Sequence, residues 1–281
     1  MVRVVVDSLS DLPSSLAEKL GIRVVPLNLH FGNETYRDNV DLGTEEFYHK
    51  LTKSQVFPTT SAPGPAMLAE VFAQLAEETD EILALFTSSK FSAIYKFAVQ
   101  AKSEIKANCR IEVVDTQTGI GGEMLLAIFA AEAAREGAGL SEIVEKVRRA
   151  IPRVHVRMAF DTLEYLRRGG RIGKAQAFLG SLLKVHPILG VKDGEAYPFA
   201  RVRSRAQAVN YLVDFVRGFG SVAGLVVEDA TTPEEREELA SQLRGLAPEG
   251  RLYLSKVSPV VGAHVGPRVL AVSLLERGAF E

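Results

Sequence analysis

The chain has 281 residues, 47% of them apolar and 24% charged, with a formal net charge of −2. That length suits one large domain or two ordinary ones with a substantial core, and the near-neutral charge gives no general pull toward nucleic acid. A single cysteine, Cys109, excludes an internal disulfide framework and a multi-thiolate zinc site, and fits a reducing compartment. Its ordinary reading is a small hydrophobe beside a strand. The opening MVRVVVDSLSDLP is too short and too soon polar for a signal peptide. No apolar run reaches the roughly 18 residues of a membrane span, so a soluble, cytoplasmic protein is expected.

Residues 2–6 read as a buried strand ending at Asp7-Ser8, and Ser10-Asp11-Leu12-Pro13 can cap a helix over 13–20. Gly21 stops it, and 22–31 resumes as a strand before the polar loop 33–43 and a helix over 44–53. Pro58, Pro63 and Pro65 keep 57–65 out of regular structure, with a helix from about Ala66. Then comes EILALF, an apolar strand, followed by the hydroxyl-rich TSSKFS and a helix over 93–105. A strand at 110–114, glycines at 119, 121 and 122, and helices over 123–136 and 141–150 complete a β-α alternation. Residues 124–134 make the most apolar helix, bracketed by glutamates.

Rhythm changes at Pro152, which sets the expected boundary between an N-terminal mostly parallel α/β domain (1–152) and a C-terminal α+β domain (153–281). The second half reads as a strand at 154–160, a short helix stopped by Gly169-Gly170, and an amphipathic helix over 174–185. A β-hairpin turning at Lys192-Asp193-Gly194-Glu195 follows. After it come a helix at 205–218, a strand at 221–228, a helix at 233–244, a strand at 251–257, a glycine-rich loop at 258–267 and a last strand.

Four polar clusters end apolar strands or precede helices: Asp7-Ser8, Thr59-Thr60-Ser61, Ser88-Ser89-Ser92 and Asp115-Thr116. Each alone is a set of caps or turn formers. Facing one edge of a parallel sheet, they would form a rim of hydroxyls and two carboxylates around a ligand crevice. Ser92, ahead of a helix, is the residue expected to hold a polar or anionic head. KFSAI lacks the Gly-x-Ser-x-Gly elbow of a serine hydrolase, and the glycines at 119–122 lack a nucleotide fingerprint. Those glycines read as close strand–helix packing. Arg171, Arg201, Arg203 and Arg205 read either as solvated surface or as a dock for a phosphate or acidic partner. His264, between glycines and apolar residues, is the histidine best placed to meet a ligand.

Seven segments in this order, VVDSLSDLP, PTTSAP, TSSKFSAIYKFA, VVDT, DTLEYLRRGGRI, HPIL and SPVVGAHVGP, resemble the DegV family, the fatty-acid-binding B subunits of bacterial fatty acid kinase. The resemblance spans nearly the whole chain. Phe91-Ser92-Ala93-Ile94-Tyr95 stands where the family usually has Leu-Ser-Gly-Thr-Tyr, and Thr60-Ser61-Ala62-Pro63-Gly64 where it often has Thr-Ser-Gln-Pro-Ser. The resemblance implies two α/β domains with a fatty acid between them. Its carboxylate would be held by Ser92, with Thr60 and His264 in one network and Ser61 assisting. Arg171 and Arg201 match family arginines near the site and the kinase-facing surface. It implies no cofactor and no chemistry by this chain alone: a separate ATP-dependent kinase subunit phosphorylates the bound acid, feeding phospholipid synthesis. An acyl tail gains about 0.8 kcal/mol per buried CH₂, so about fifteen carbons offer roughly 12 kcal/mol before ordering costs. Grip therefore needs no salt bridge at the head. The alternatives are a Ser92/His264 esterase and a regulatory module for another amphipathic anion.

Overall fold

A computed structural model describes residues 1–105, 109–181 and 185–280. The chain opens with β1 (Arg3–Asp7), whose Val4, Val5 and Val6 are buried on both faces, as an inner parallel strand requires. A 3-10 turn at Ser8–Ser10 leads to α1 (Ser14–Leu20), which Gly21 ends at a φ of 69°. The stretch 22–31 is two strands rather than one. β2 (Arg23–Val25) pairs with β1, and beyond Pro26 β3 (Asn28–Phe31) turns into a different sheet. Proline cannot donate to a ladder, so the break falls there.

The expected polar loop contributes β4 (Glu34–Arg37), followed by α2 (Thr44–Lys53). The proline-framed segment is not irregular throughout: Thr59–Ser61 form β5, and α3 (Pro65–Ala76) follows. β5 and β4 flank β3 in a three-stranded antiparallel sheet, and an edge strand tolerates flanking prolines. β6 (Glu81–Phe86), α4 (Ile94–Glu104) and β7 (Arg110–Asp115) complete a four-stranded parallel sheet ordered β2-β1-β6-β7.

Next come α5 (Ile120–Arg135) and α6 (Leu140–Ala150). α5 starts three residues before the expected 123, and of its 16 residues only Phe129, Glu132 and Arg135 escape full burial. A helix apolar all round belongs inside a protein. α5 lies between the parallel sheet, touching Val4, Val6 and Leu85, and a second sheet, touching Val226 and Leu275. Gly121 makes the approach possible, since a Cβ there would lie 2.8 Å from Val226 Cβ and from Glu228 Oε2.

The second sheet holds β8 (Val154–Ala159), β9 (His186–Lys192), β10 (Glu195–Val202), β11 (Val222–Asp229), β12 (Leu252–Lys256) and β13 (Leu270–Glu276). Its order is β10-β9-β8-β13-β11-β12, antiparallel except for β11 with β12. Asp193 (φ 53°) and Gly194 (φ 77°) make the tight hairpin turn. α7 (Glu164–Arg168), α8 (Arg205–Arg217), α9 (Pro233–Leu243) and α10 (Pro259–Val265) complete the fold. The expected helix over 174–185 is instead a 3-10 helix at Gly173–Ser181, and residues 182–184 lie outside the described residues. The expected loop at 258–267 is largely α10. Gly262 sits inside it because a Cβ would press on Tyr48 and Phe47 of α2, at 2.6 and 2.7 Å.

Candidate functional site

Most of the polar groups at the carboxyl ends of the parallel strands brace loops. Asp7 accepts N–H bonds from Leu9 and Thr87, both 2.8 Å, and is wholly buried. Thr116 donates to Phe86 O (2.9 Å), Thr87 to Thr118 O (3.0 Å), and Asp115 accepts from Gln117 N (2.9 Å). The expected rim of hydroxyls and two carboxylates is therefore corrected: neither Asp7 nor Asp115 faces the apolar cavity that Ser92 lines. Backbone N–H groups at strand ends need acceptors, and these short side chains are the nearest ones.

That cavity has a volume of about 330 Å³ and lies between the two large sheets. Leu27, Phe97, Met158, Phe160, Leu166 and Val261 give it an oily wall. Polar groups enter at Thr60, Ser61, Thr87, Ser92, Arg171 and His264. Thr60 comes from β5 and His264 from α10, yet Thr60 Oγ1 and His264 Nε2 are 2.8 Å apart. Ser92, just ahead of α4, is 8% exposed and its Oγ accepts from Ile94 N at 3.3 Å. That leaves the Ser92 hydroxyl proton free to donate into the cavity.

Burial first, and then the Arg171 charge, push the His264 imidazole down to about 4, so the ring is neutral near pH 7. Its Nδ1 has no partner among the described residues. A neutral ring carries one N–H, and stranding a buried donor is costly. The proton therefore belongs on Nε2, donating to Thr60 Oγ1, which leaves the Thr60 hydroxyl to donate onward. Arg171 donates to Phe91 O (3.1 Å) and Gly169 O (2.8 Å). The head of the cavity is thus rich in donors and contains one guanidinium, that of Arg171. Such a lining suits a ligand that accepts and does not donate, an ionised carboxylate above all.

Ser61 lines the same cavity, although its hydroxyl lies 2.9 Å from His30 Nε2 at the surface. Arg201 does not line it. Its guanidinium stacks 4.0 Å from the Phe178 ring and donates to Ala177 O at 3.4 Å. Among the described residues the geometry of an esterase is missing too: His264 Nε2 faces Thr60, and no carboxylate orients Nδ1. Among the described residues no group of three or more His, Cys, Asp or Glu could hold a metal ion.

Two features escaped sequence reasoning. Gly169, read only as a helix stop, makes room for the site's histidine: a Cβ there would lie 2.2 Å from His264 Nδ1. Behind the cavity, burial pushes Asp7 and Asp38 up to about 7 and Glu228 up to about 8. Asp11 and Glu123 are raised as well, by burial and then by the charges of Glu228 and Asp7 respectively. These carboxyls hold cavity-bearing elements: Glu228 accepts from Gly121 N (3.0 Å), and Asp11 from Ser258 N (3.1 Å) at the start of α10. No local pattern marks the Glu228 and Asp11 contacts, because their partners are more than 100 residues away.

The model of the DegV family, described as "Uncharacterised protein, DegV family", matches residues 1–277. A DegV domain-containing protein of Caldanaerobacter subterraneus subsp. tengcongensis is 37% identical over 98% of this chain and 99% of its own. Protein DegV of Bacillus subtilis is 31% identical over 96% of this chain and 98% of its own. Among solved structures, "Fatty Acid Binding of a DegV family Protein" from Thermus thermophilus superposes with a TM-score of 0.87 at 33% identity, covering 98% of this chain and 99% of that one. "DegV, a fatty acid binding protein" from Bacillus subtilis gives 0.90 at 28% identity, with 98% and 99% covered. The chain belongs to the DegV family, and its fold is that of the family's fatty-acid-binding structures.

Proposed function

We propose that this DegV-family chain buries the tail of a long-chain fatty acid between two lobes, divided near Pro152, and presents the carboxylate to a separate ATP-dependent kinase subunit. The observation that carries the reading is an oily cavity whose polar groups converge as donors: Ser92, the Thr60–His264 pair and Arg171. A volume of about 330 Å³ falls within the range of small-molecule sites, about 300–1,000 Å³. Relatives at 33% and 28% identity are described as binding fatty acids, which supports the ligand class. Ser92 and Thr60 fix the carboxylate, Ser61 assists from the cavity edge, and Arg171 and Arg201 serve the partner-facing side.

In the transfer, a carboxylate oxygen attacks the γ-phosphorus of ATP supplied by the partner. The bond from Pγ to the bridging oxygen breaks, ADP leaves, and an acyl phosphate forms for phospholipid synthesis. This chain's contribution is positioning. It works in the cytoplasm, without a cofactor; among the described residues no helix is long and apolar enough to cross a membrane.

Mass spectrometry of an organic extract of the freshly purified protein tests the ligand class. A stoichiometric fatty acid is expected, and a different amphipathic anion would refute the reading. Kinase addition with ATP should then yield acyl phosphate, in an amount that depends on this chain.

A further inference from the structure

We propose that the β9–β10 hairpin tip is the gate through which the ligand enters and leaves, and that Ser88 is the positioning residue that latches it. The inference rests on the acyl-cavity reading and goes beyond it. Beside the oily cavity lies a second, polar hollow of about 850 Å³ lined by Asp115, Gln117, Thr118, Arg148, Lys192 and Gly194, among others. Val191 lines both hollows. The boundary between them can be followed residue by residue: Thr87, Phe91, Ser92 and Gly119 face the cavity, while Thr118, Asp193 and Gly194 face the cleft.

Ser88 sits on this seam and is 1% exposed. Its N–H donates to Thr118 O at 2.8 Å and its hydroxyl to Gly194 O at 2.6 Å. The second bond ties the loop that carries Ser92 to the hairpin tip, 106 residues further along the chain. The tip is shaped for the contact. Gly194 has a φ of 77°, and a Cβ there would lie 2.6 Å from Ser88 Oγ. The flanking contacts are surface ion pairs, Lys90–Glu195 at 3.4 Å and Lys174–Glu195 at 3.1 Å, which hold little in water.

One buried hydrogen bond and two screened ion pairs therefore close a seam between an apolar chamber and an open cleft. Hairpin tips with few buried contacts are the parts of a fold that open first. Lifting this one would join the hollows. The cleft, with Arg148, Arg157 and Lys192 against Asp115 and Asp193, would meet an incoming carboxylate with net positive charge.

A gate differs from a contact residue in its kinetics, since loosening it speeds entry and exit alike. The test is stopped-flow binding and chase of cis-parinaric acid on the full chain carrying Ser88→Ala, with Gly194→Ala as a second variant. Both rates should rise about fivefold, the scale of one lost hydrogen bond, with Kd unchanged. Unchanged rates, or a weaker Kd from faster release alone, would overturn the gate. A ligand-free reading runs alongside. In a Cys109→Ser background, Val261→Cys inside the cavity should react faster with a thiol reagent once Ser88 is alanine, and equal labelling rates would overturn it. If the probe does not bind at all, the acyl reading falls, while the labelling rates still decide the gate.

Discussion

Replacing Gly169 by alanine tests the contact with His264 that shapes the head of the cavity, the Tyr165 carbonyl at 3.1 Å being the milder of the two neighbours. The backbone accepts the change, since Gly169 has φ −73° and ψ −8° in the right-handed helical region. The added Cβ, however, would lie 2.2 Å from His264 Nδ1, where ordinary contact begins at 3.4 Å. The ring must move by about 1.2 Å, the difference between those two distances, and its 2.8 Å bond to Thr60 does not survive such a shift. Overpacking of this kind costs about 1–3 kcal/mol, and the lost hydrogen bond about 1 kcal/mol more. Alanine's better helix propensity returns somewhat under 1 kcal/mol. A net loss of about 1–3 kcal/mol is expected in urea unfolding at constant m, together with weaker fatty-acid binding in a titration. The decisive arm is a double-mutant cycle: in a His264→Ala background, where only the Tyr165 carbonyl at 3.1 Å remains to be met, Gly169→Ala should cost much less. An equal cost in both backgrounds would refute the reasoning.

Ser92→Ala should lower phosphoryl transfer by more than tenfold while weakening acid binding by only a few-fold, because the tail supplies most of the affinity. Equal losses in kinase assay and titration would count against that division. Thr60→Val keeps the shape but removes the relay from His264. It should cost about tenfold in affinity for the acid and little for the matching fatty alcohol, as measured by competition. Stability should also report the buried acids. Asp7, Asp38 and Glu228 ionise near pH 4 when unfolded but at about 7, about 7 and about 8 in the fold. The native state therefore holds extra protons across that window, and stability falls as pH rises through it. His264, lowered to about 4, acts oppositely, but its contribution is complete above its ordinary value of 6.5. Between pH 6.5 and 8.5 the melting temperature should fall, by about 2–4 °C per kcal/mol, and Glu228→Gln should flatten the slope. A melting temperature that rises over that range would contradict the assignment.

Local chemistry settled a good deal in advance. Alternating apolar runs and helix stops placed nearly every element, and the apolar run from Glu81 to Phe86 did become an inner parallel strand. Where the reading erred, the local signal was real but a distant partner outweighed it. Proline-framed Thr59–Ser61 is a strand because β3 offers it a ladder. The glycine-rich 259–265 is a helix because Gly262 lets it press on α2. The resemblance named Ser92, Thr60, Ser61 and His264, and the structure lines one cavity with all four.

What the sequence determined by itself was the kind of protein: two sheet-building halves with a hydroxyl-rich loop after a buried strand. Those follow from periodicity and turn chemistry, which act over a few residues. Only the tertiary structure decided which hydroxyls line the apolar cavity and which brace the loops around it. Asp7, Ser88 and Thr116 look like Ser92 in the sequence, yet backbone groups from distant elements claim them. The physical reason is that a side chain's role depends on which unsatisfied donor or acceptor lies within its reach, and here those partners stand 30 to 106 residues away along the chain.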